Sequence, residues 1–309
     1  MRLGGPSPAL DRFDRWAQDA LMDAKTYRRS LPETAATPTV RVAFVPERGP
    51  HVLVGACRLS QDRVGRRYPF FVGRAVDRHP LEAQFAPRWP VHWGALFDAA
   101  ATLVEAGVED RMPLDQLAGR IKALPPAPTA LRQRGEGLRR YDDALRTLPA
   151  PALWQATWGD PDASAKSVLF YRLRRATHAD AAPGREAKSC GLVFPLPDAA
   201  EQVEPDHAVA AWAEIAWRTA KRLNQLPSIW WTESEPGRPG RLGVFFGRVP
   251  PRAFGLLLGE AKRDAPGLCA LDAAPADLRP IDAALGLPDR LGRLLEAPNL
   301  PLGTFLSSL

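Results

Sequence analysis

The stretch S-I-W-W-T-E-S-E-P-G-R-P-G-R-L-G-V-F-F-G-R-V, residues 228–249, places two tryptophans side by side in a short apolar run. Neighbouring side chains of a strand point to opposite faces of the sheet, so Trp230 and Trp231 would face opposite sides. The Pro- and Gly-rich segment and the second apolar run after it predict a β-hairpin. Either helices cover both faces of this strand, or a partner protein covers one exposed indole, with residues 233–241 as the rim.

Strand and helix patterns follow one another along the rest of the chain. Asp206 is predicted as the N-cap of the helix that begins the last third of the chain. Strand and hairpin-like patterns with helices between them, but no regular β-α-β alternation, predict an α/β fold around a mixed, largely antiparallel sheet. Apolar runs predict strands at residues 39–45, 52–59, 68–76, 166–173 and 191–196, and apolar residues at helical spacing predict helices near residues 11–25, 93–104, 114–124, 138–148, 209–223 and 250–258.

The composition is that of a globular protein, with 45% hydrophobic and 25% charged residues in a chain of 309. There is no long uncharged apolar run and no apolar core of a signal peptide, so we expect a cytoplasmic protein without membrane insertion. Cys57, Cys190 and Cys269 are far apart, which predicts small buried side chains and no disulfide or zinc site. The basic residues are spread along the chain and interleaved with acidic ones, so nucleic-acid binding is not expected.

A second motif, S-x-D-R-V-G-R-x-Y-P-F, occupies residues 60–70. Gly65 can adopt a positive φ and Asp62 can bind turn backbone, which predicts a tight connection that continues through Tyr68 and Pro69. The alternative is an anion or partner site, in which three arginines grip a phosphate or an acidic loop. Those arginines are Arg63, Arg66 and Arg67.

A third motif, L-P-S-I-W-W-T at residues 226–232, has Pro227 and Ser228 as its structural residues. It follows L-W-x-x-x-W-G-D at residues 153–160 and precedes G-R-V-P-P-R-A-F at residues 247–254. In this order the motifs resemble the TagF family, also called ImpM, over roughly residues 10 to 260. The resemblance departs at the start, where the family usually has an aromatic-Gly-Lys-Leu-Pro stretch and a Gly-Asp-Phe. Either the true start lies upstream or this member has lost the segment, and if the lost piece is a strand, a sheet edge is left open.

The resemblance implies a three-layer α/β/α sandwich in a non-catalytic protein that represses type VI secretion after translation. It implies binding to a forkhead-associated scaffold protein, and in some bacteria a link to a phosphoprotein phosphatase. In such a sandwich both faces of the sheet are covered, which favours burial of both tryptophans. We expect an N-terminal TagF-like region at residues 1–150 and a C-terminal α/β region at residues 151–309, and the two may share one sheet.

Enzyme signatures are mostly missing from the sequence. It contains no phosphate-binding glycine motif, no nucleophile elbow and no H-E-x-x-H, and its histidines have no metal-ligand spacing. Asp142 and Asp143 are expected to face water on a helix. We therefore expect neither catalysis nor a cofactor. The alternatives are an enzyme that acts on phosphoproteins and a structural subunit of the secretion apparatus.

Overall fold

A seven-stranded sheet forms the centre of the molecule in the computed structural model, which describes residues 7–27, 31–62, 64–110, 112–127, 136–162, 164–178, 190–197, 203–220, 225–235, 238–259, 268–271 and 279–309. Its strands are β1 (Val40–Phe44), β2 (His51–Gln61), β3 (Arg67–Asp77), β4 (Cys190–Pro195), β5 (Ser228–Thr232), β6 (Arg241–Phe246) and β7 (Leu268–Ala270). They lie in the order β3-β2-β1-β5-β6-β4-β7. All neighbours are antiparallel except β4 and β7, which are parallel. This confirms the predicted mixed, largely antiparallel sheet.

Helices connect the strands and cover the sheet. They are α1 (Pro8–Tyr27), α2 (Trp89–His92), α3 (Gly94–Val108), α4 (Leu114–Lys122), α5 (Glu136–Thr147), α6 (Ala150–Trp158), α7 (Ala165–His178), α8 (Pro205–Ala220), α9 (Phe254–Leu257), α10 (Pro280–Leu285), α11 (Asp289–Leu295) and α12 (Leu302–Ser308). Most of the predicted helices are found within a few residues of their expected places.

Apolar side chains pack on both faces of the sheet, so the architecture is a three-layer α/β/α sandwich. On one face, Phe13 and Trp16 of α1 pack against β1, β2 and β5 together with residues of α9. On the other face, Phe97 of α3 and many residues of α8 form a larger core with β1, β5 and β6. Alternation along the strands sends successive side chains into these two cores.

The N-terminal and C-terminal regions share this one sheet. Strand β1 from the first region pairs with β5 from the second, with Val42 opposite Trp230. Helix α1 also reaches across, since the indole nitrogen of Trp16 donates a 3.4 Å hydrogen bond to the carbonyl of Pro250. The structure therefore contains the shared sheet that the sequence left as an alternative.

The strand predicted at residues 166–173 is wrong, because this segment lies inside α7. Nearly the whole circumference of this part of the helix is buried, including Lys166 and Arg172. Lys166 donates to the carbonyl of Pro161 at 3.2 Å and pairs with Glu296 at 3.3 Å, while Arg172 donates to the carbonyl of Ala270 at 2.5 Å. A helix buried on all sides lacks the periodic polar face by which sequence patterns are recognised.

Two expectations about aspartates are also corrected. Helix α8 begins at Pro205, so Asp206 lies within its first turn and is not an N-cap. Asp142 does not simply face water, because Arg88 pairs with its carboxylate at 2.9 Å and both side chains are largely covered. Asp143, its neighbour, is exposed and pairs with Arg146 one turn along α5.

Candidate functional site: the β2–β3 turn and the paired tryptophans

The turn between β2 and β3 is organised by the carboxylate of Asp62. Its Oδ1 accepts hydrogen bonds from the backbone N–H groups of Val64 at 3.0 Å and Arg66 at 2.8 Å. Its Oδ2 accepts a hydrogen bond from Nε of Arg66 at 2.7 Å. Gly65 has a φ of +85°, which favours glycine. These are the contacts expected of a tight connection.

The pKa of Asp62 is lowered by this arrangement. Desolvation acts in the opposite direction and would raise the pKa, but the hydrogen bonds from Arg66 and Val64 and the charge of Arg66 outweigh it. Each of these contacts stabilises the ionised carboxylate. Asp62 therefore stays charged and keeps Arg66 in place at neutral pH.

The three arginines predicted to form an anion site have different environments. Arg67 donates from Nη1 to the backbone carbonyls of Leu31 at 2.6 Å and Pro32 at 2.8 Å, so it fastens the start of β3 to the segment after α1. The side chain of Arg66 is 81% exposed beyond its contact with Asp62. Arg63 lies outside the described residues. Of the two arginines of this motif that the structure describes, Arg66 is thus the one that faces solvent.

Exposed apolar side chains gather at the same turn. Among the described residues, three large hydrophobic side chains are exposed, and two of them, Val64 (74%) and Tyr68 (41%), belong to this turn and the start of β3. Pro69 follows within β3, which is an edge strand in the described sheet and so tolerates a residue without an N–H. The turn therefore offers a cation and apolar surface together. We refer to Asp62, Val64, Gly65, Arg66 and Tyr68 as the hairpin tip.

Trp230 and Trp231 are both buried, at 0% and 2% exposure. The ring of Trp230 lies edge-on to Trp16 of α1, with 4.7 Å between centroids. The ring of Trp231 lies edge-on to Phe97 of α3, with 4.5 Å between centroids. This confirms that helices cover the strand on both faces, and it leaves no exposed indole for a partner to contact.

Ser228 connects the two central strands. Its hydroxyl oxygen accepts a 2.8 Å hydrogen bond from the N–H of Val45, just after β1, and the hydroxyl lies 3.4 Å from the carbonyl of the same residue. Pro227 is buried immediately before it. The motif at residues 226–232 therefore fixes the register between β1 and β5.

A cavity opens beside Trp231, at the end of β5 and the start of α8. Its volume is about 230 Å³, and its walls include Leu196, Pro197, Val203, Val209 and Trp231. Asp206, Thr232, Glu233 and Ser234 add polar groups to the lining. Two residues of the segment that was expected to border a partner surface, Glu233 and Ser234, thus line this cavity.

A buried arginine holds two carboxylates near the cavity. Nη2 of Arg41, whose side chain is 10% exposed, lies 2.9 Å from Asp98 and 2.7 Å from Glu233. The sequence did not indicate a functional role for Arg41, Asp98 or Asp206, of which only Asp206 was singled out, as an N-cap. The three residues come from β1, α3 and α8 and share no local motif. The single available signal was a charged residue within an otherwise apolar strand, at Arg41.

Residues 2–124 match the family model of the TagF N-terminal domain, which is described as type VI secretion system-associated. Residues 2–124 of the chain are therefore a TagF N-terminal domain, of the kind associated with the type VI secretion system. The match ends after α4 and is shorter than the span of roughly residues 10 to 260 over which the motifs resemble the family. No curated protein and no solved structure matched the chain.

Three further properties concern the described residues. None of their helices combines the length and the apolar character that crossing a bilayer requires. No cluster of three or more His, Cys, Asp or Glu among them could hold a metal ion. Cys57 and Cys190 are buried as predicted, whereas Cys269 is half-buried, and all three are free thiols. Burial raises the pKa of Cys57 far above its ordinary value.

Proposed function

We propose that this protein is a non-catalytic, cytoplasmic regulator that represses the type VI secretion system after translation by binding its forkhead-associated scaffold protein. The observation that carries the proposal is the TagF N-terminal domain at residues 2–124. A phosphoprotein phosphatase of the same pathway is a second candidate partner.

The hairpin tip is the surface we assign to the scaffold. Arg66 offers a guanidinium that is 81% exposed, and Val64 and Tyr68 supply apolar area beside it. Arginine is suited to bidentate contacts with phosphate or carboxylate, and arginine and tyrosine are enriched at binding hot spots. Since Asp62 fixes the Arg66 backbone and Nε, little conformational freedom is lost when a partner binds.

Charge reversal at Arg66 is the direct test of this assignment. Arg66→Glu should weaken scaffold binding by about 10- to 100-fold, because charge-assisted hydrogen bonds contribute about 1.5–3 kcal/mol. The measurement is a pull-down and a titration of purified protein with phosphorylated and unphosphorylated scaffold. Arg67 and Trp231 are unsuitable for this test, since Arg67 binds the backbone of residues 31–32 and Trp231 is buried.

Arg279→Glu is the matched control. Arg279 is also highly exposed (75%) and pairs with a nearby aspartate, Asp282, but it immediately precedes α10 in the C-terminal region. It should retain wild-type affinity and full repression of secretion. Equal affinity of wild type and Arg66→Glu would remove the hairpin tip from the proposal. No binding of wild-type protein to either form of the scaffold would remove the scaffold itself.

The same preparations separate the alternatives. A phosphoprotein-directed enzyme would release phosphate from the phosphorylated scaffold at substoichiometric amounts of protein. A structural subunit would co-purify in fixed stoichiometry with the assembled apparatus. The regulator that we propose should do neither.

A further inference from the structure

The cavity beside Trp231 combines apolar side chains and carboxyl groups in its lining. Leu196 and Pro197 follow β4, Val209 lies on α8, and Trp231 forms part of the wall from β5. Asp206, from α8, and Glu233, from the segment after β5, both line the cavity. A ligand that fits must therefore combine an apolar body with a group that carboxylates bind.

Among the described charged groups that act on Asp206, carboxylates outnumber cations. Arg41 is the cation that acts on Asp206, but it already binds Asp98 and Glu233. The carboxylates of Asp98, Glu233 and Glu204 also repel a negative charge on Asp206. No described residue donates a hydrogen bond or forms an ion pair with the Asp206 carboxylate.

Asp206 lines the cavity and also lies against the start of α3. Its Oδ2 lies against the first residue of α3, since a Cβ added at Gly94 would meet it at 3.1 Å. Its own backbone is fixed in the first turn of α8, a helix of 16 residues. The carboxylate is thus a partly buried, unpartnered acceptor in the lining of a preformed cavity, whereas Glu233 is engaged by Arg41.

We propose that this cavity binds an ammonium or guanidinium group carried on an aliphatic stem, with Asp206 as the carboxylate that pairs with it. The stem packs against Val209, Leu196 and Trp231, and the cation replaces the missing partner of Asp206. A cation near an indole ring gains a further favourable interaction with its π-system.

The size of the cavity limits the ligand. Pockets for drug-sized ligands have volumes of about 300–1,000 Å³. At about 230 Å³, this cavity suits one arginine or lysine side chain, or a small free amine, and is too small for a nucleotide or a peptide backbone. The chemistry is the same for a free amine and for a side chain that a partner protein inserts.

Titration of the full-length protein with agmatine, a guanidinium on a four-carbon stem that also ends in an ammonium, tests the site. Calorimetry should show saturable binding, and n-butanol, which has the stem but no charge, should bind at least about tenfold more weakly. Asp206→Asn should weaken agmatine binding by at least about tenfold, because it removes the charge while keeping the shape. If agmatine does not bind, or binds both proteins equally, the proposal is wrong.

Asp115→Asn is the matched control. Asp115 is also the second residue of its helix, α4, but it is exposed and lines no part of the cavity. It should bind agmatine like the wild type. Should Asp206→Asn fail to fold, the pH dependence of wild-type binding gives the answer, since agmatine affinity should fall as Asp206 becomes protonated. Affinity that does not change between pH 8 and pH 5 would contradict the role of Asp206.

Scaffold binding by Asp206→Asn then distinguishes the two sources of the cation, a step that rests on the proposed function. Loss of scaffold binding together with agmatine binding identifies a side chain of the partner protein as the natural occupant. Loss of agmatine binding alone identifies a free amine. Because agmatine binding needs no scaffold, failure of this site and failure of the proposed function have separate readouts.

Discussion

Asp206 is held in an environment that opposes its charge. Burial is the largest cause, and the neighbouring carboxylates of Asp98, Glu233 and Glu204 act in the same direction, while Arg41 acts against them. Together they raise the pKa of Asp206 to about 6. The folded protein thus binds this proton more tightly than the unfolded chain does, whose aspartates have a pKa of about 3.9.

The contribution of Asp206 to stability should therefore be complete below about pH 4 and be lost as the pH rises through 6. At pH 8, replacing it with a neutral side chain removes an unfavourable charge. We expect Asp206→Asn to raise the free energy of unfolding at pH 8 by about 1–2 kcal/mol, after allowing for a weakened interaction with the dipole of α8. Urea unfolding at pH 8 and pH 4 measures this, and the gain should vanish at pH 4.

Asp115→Asn gives the opposite expectation in the same experiment. An exposed carboxylate at a helix N-terminus interacts favourably with the helix dipole and stabilises the helix by about 0.3–1 kcal/mol. Its removal should therefore lower the free energy of unfolding at pH 8. If Asp206→Asn also lowers stability at pH 8, the charge of Asp206 is compensated in the folded protein. The cation site proposed above would then lose its electrostatic basis.

Single residues also show what local sequence can and cannot predict. The roles of Asp62 and Gly65 follow from turn chemistry and are found as predicted. The role of Arg67 could not be predicted, because its carbonyl partners at residues 31 and 32 belong to the segment after α1. The same limit applies to Asp206, whose neighbours come from three other parts of the chain.

At the scale of elements, the β2–β3 hairpin depends on the backbone conformation of Gly65. Alanine at φ +85° would be strained, and left-handed conformations cost about 1–2 kcal/mol for residues with a Cβ. Space is not the limit, because a Cβ there meets one flexible atom, Nε2 of Gln61, at 3.3 Å. Gly65→Ala should therefore lower the free energy of unfolding by about 1–2 kcal/mol, as measured by urea denaturation.

Gly292→Ala is the control for this substitution. Gly292 lies inside α11, and a Cβ added there would meet nothing within 4 Å. Alanine should stabilise the protein by about 0.5–1 kcal/mol, because glycine loses more conformational entropy in a helix. A neutral Gly65→Ala would mean that the turn can adopt another backbone conformation.

Elements with a regular polar face were predicted well, whereas α7 was not. The hairpin of β5 and β6 follows from its turn residues and flanking apolar runs, and α3 follows from its helical spacing. The α7 segment K-S-V-L-F-Y-R-L contains polar residues that are buried in the fold. Their polar groups have partners far away in the chain, such as Glu296 for Lys166. A helical period in the sequence arises where one side of a helix faces water and the other side faces the core. Residues 166–173 of α7 have little surface that faces water, so they show no such period.

At the scale of the whole molecule, the TagF N-terminal domain is completed by the rest of the chain. Strand β1 has β5 as one of its two neighbours, and Trp16 of α1 packs on Trp230. Arg248 and Arg252 also pair with Asp19 and Asp23 of α1, at 3.3 and 2.9 Å. We therefore predict that the two regions fold and unfold as one cooperative unit.

Separate expression of residues 1–150 and 151–309 tests whether the two regions need each other in order to fold. Each fragment alone should be unfolded or aggregated, because each would expose a long strand edge and half of a core. Co-expression should give a folded one-to-one complex that size-exclusion chromatography and circular dichroism detect. A monomeric fragment 1–150 with cooperative unfolding would show instead that the N-terminal domain folds independently.

The pairing of β1 with β5 also has a consequence for synthesis on the ribosome. The hydrogen bond between Val45 and Ser228 joins residues 183 positions apart in the chain. At translation rates of about 5–20 residues per second, β1 emerges roughly 10–40 s before its neighbour is made. During that interval the nascent chain presents an apolar strand with one open edge. A chaperone that shields this edge should therefore raise the yield of folded protein more than slower translation would.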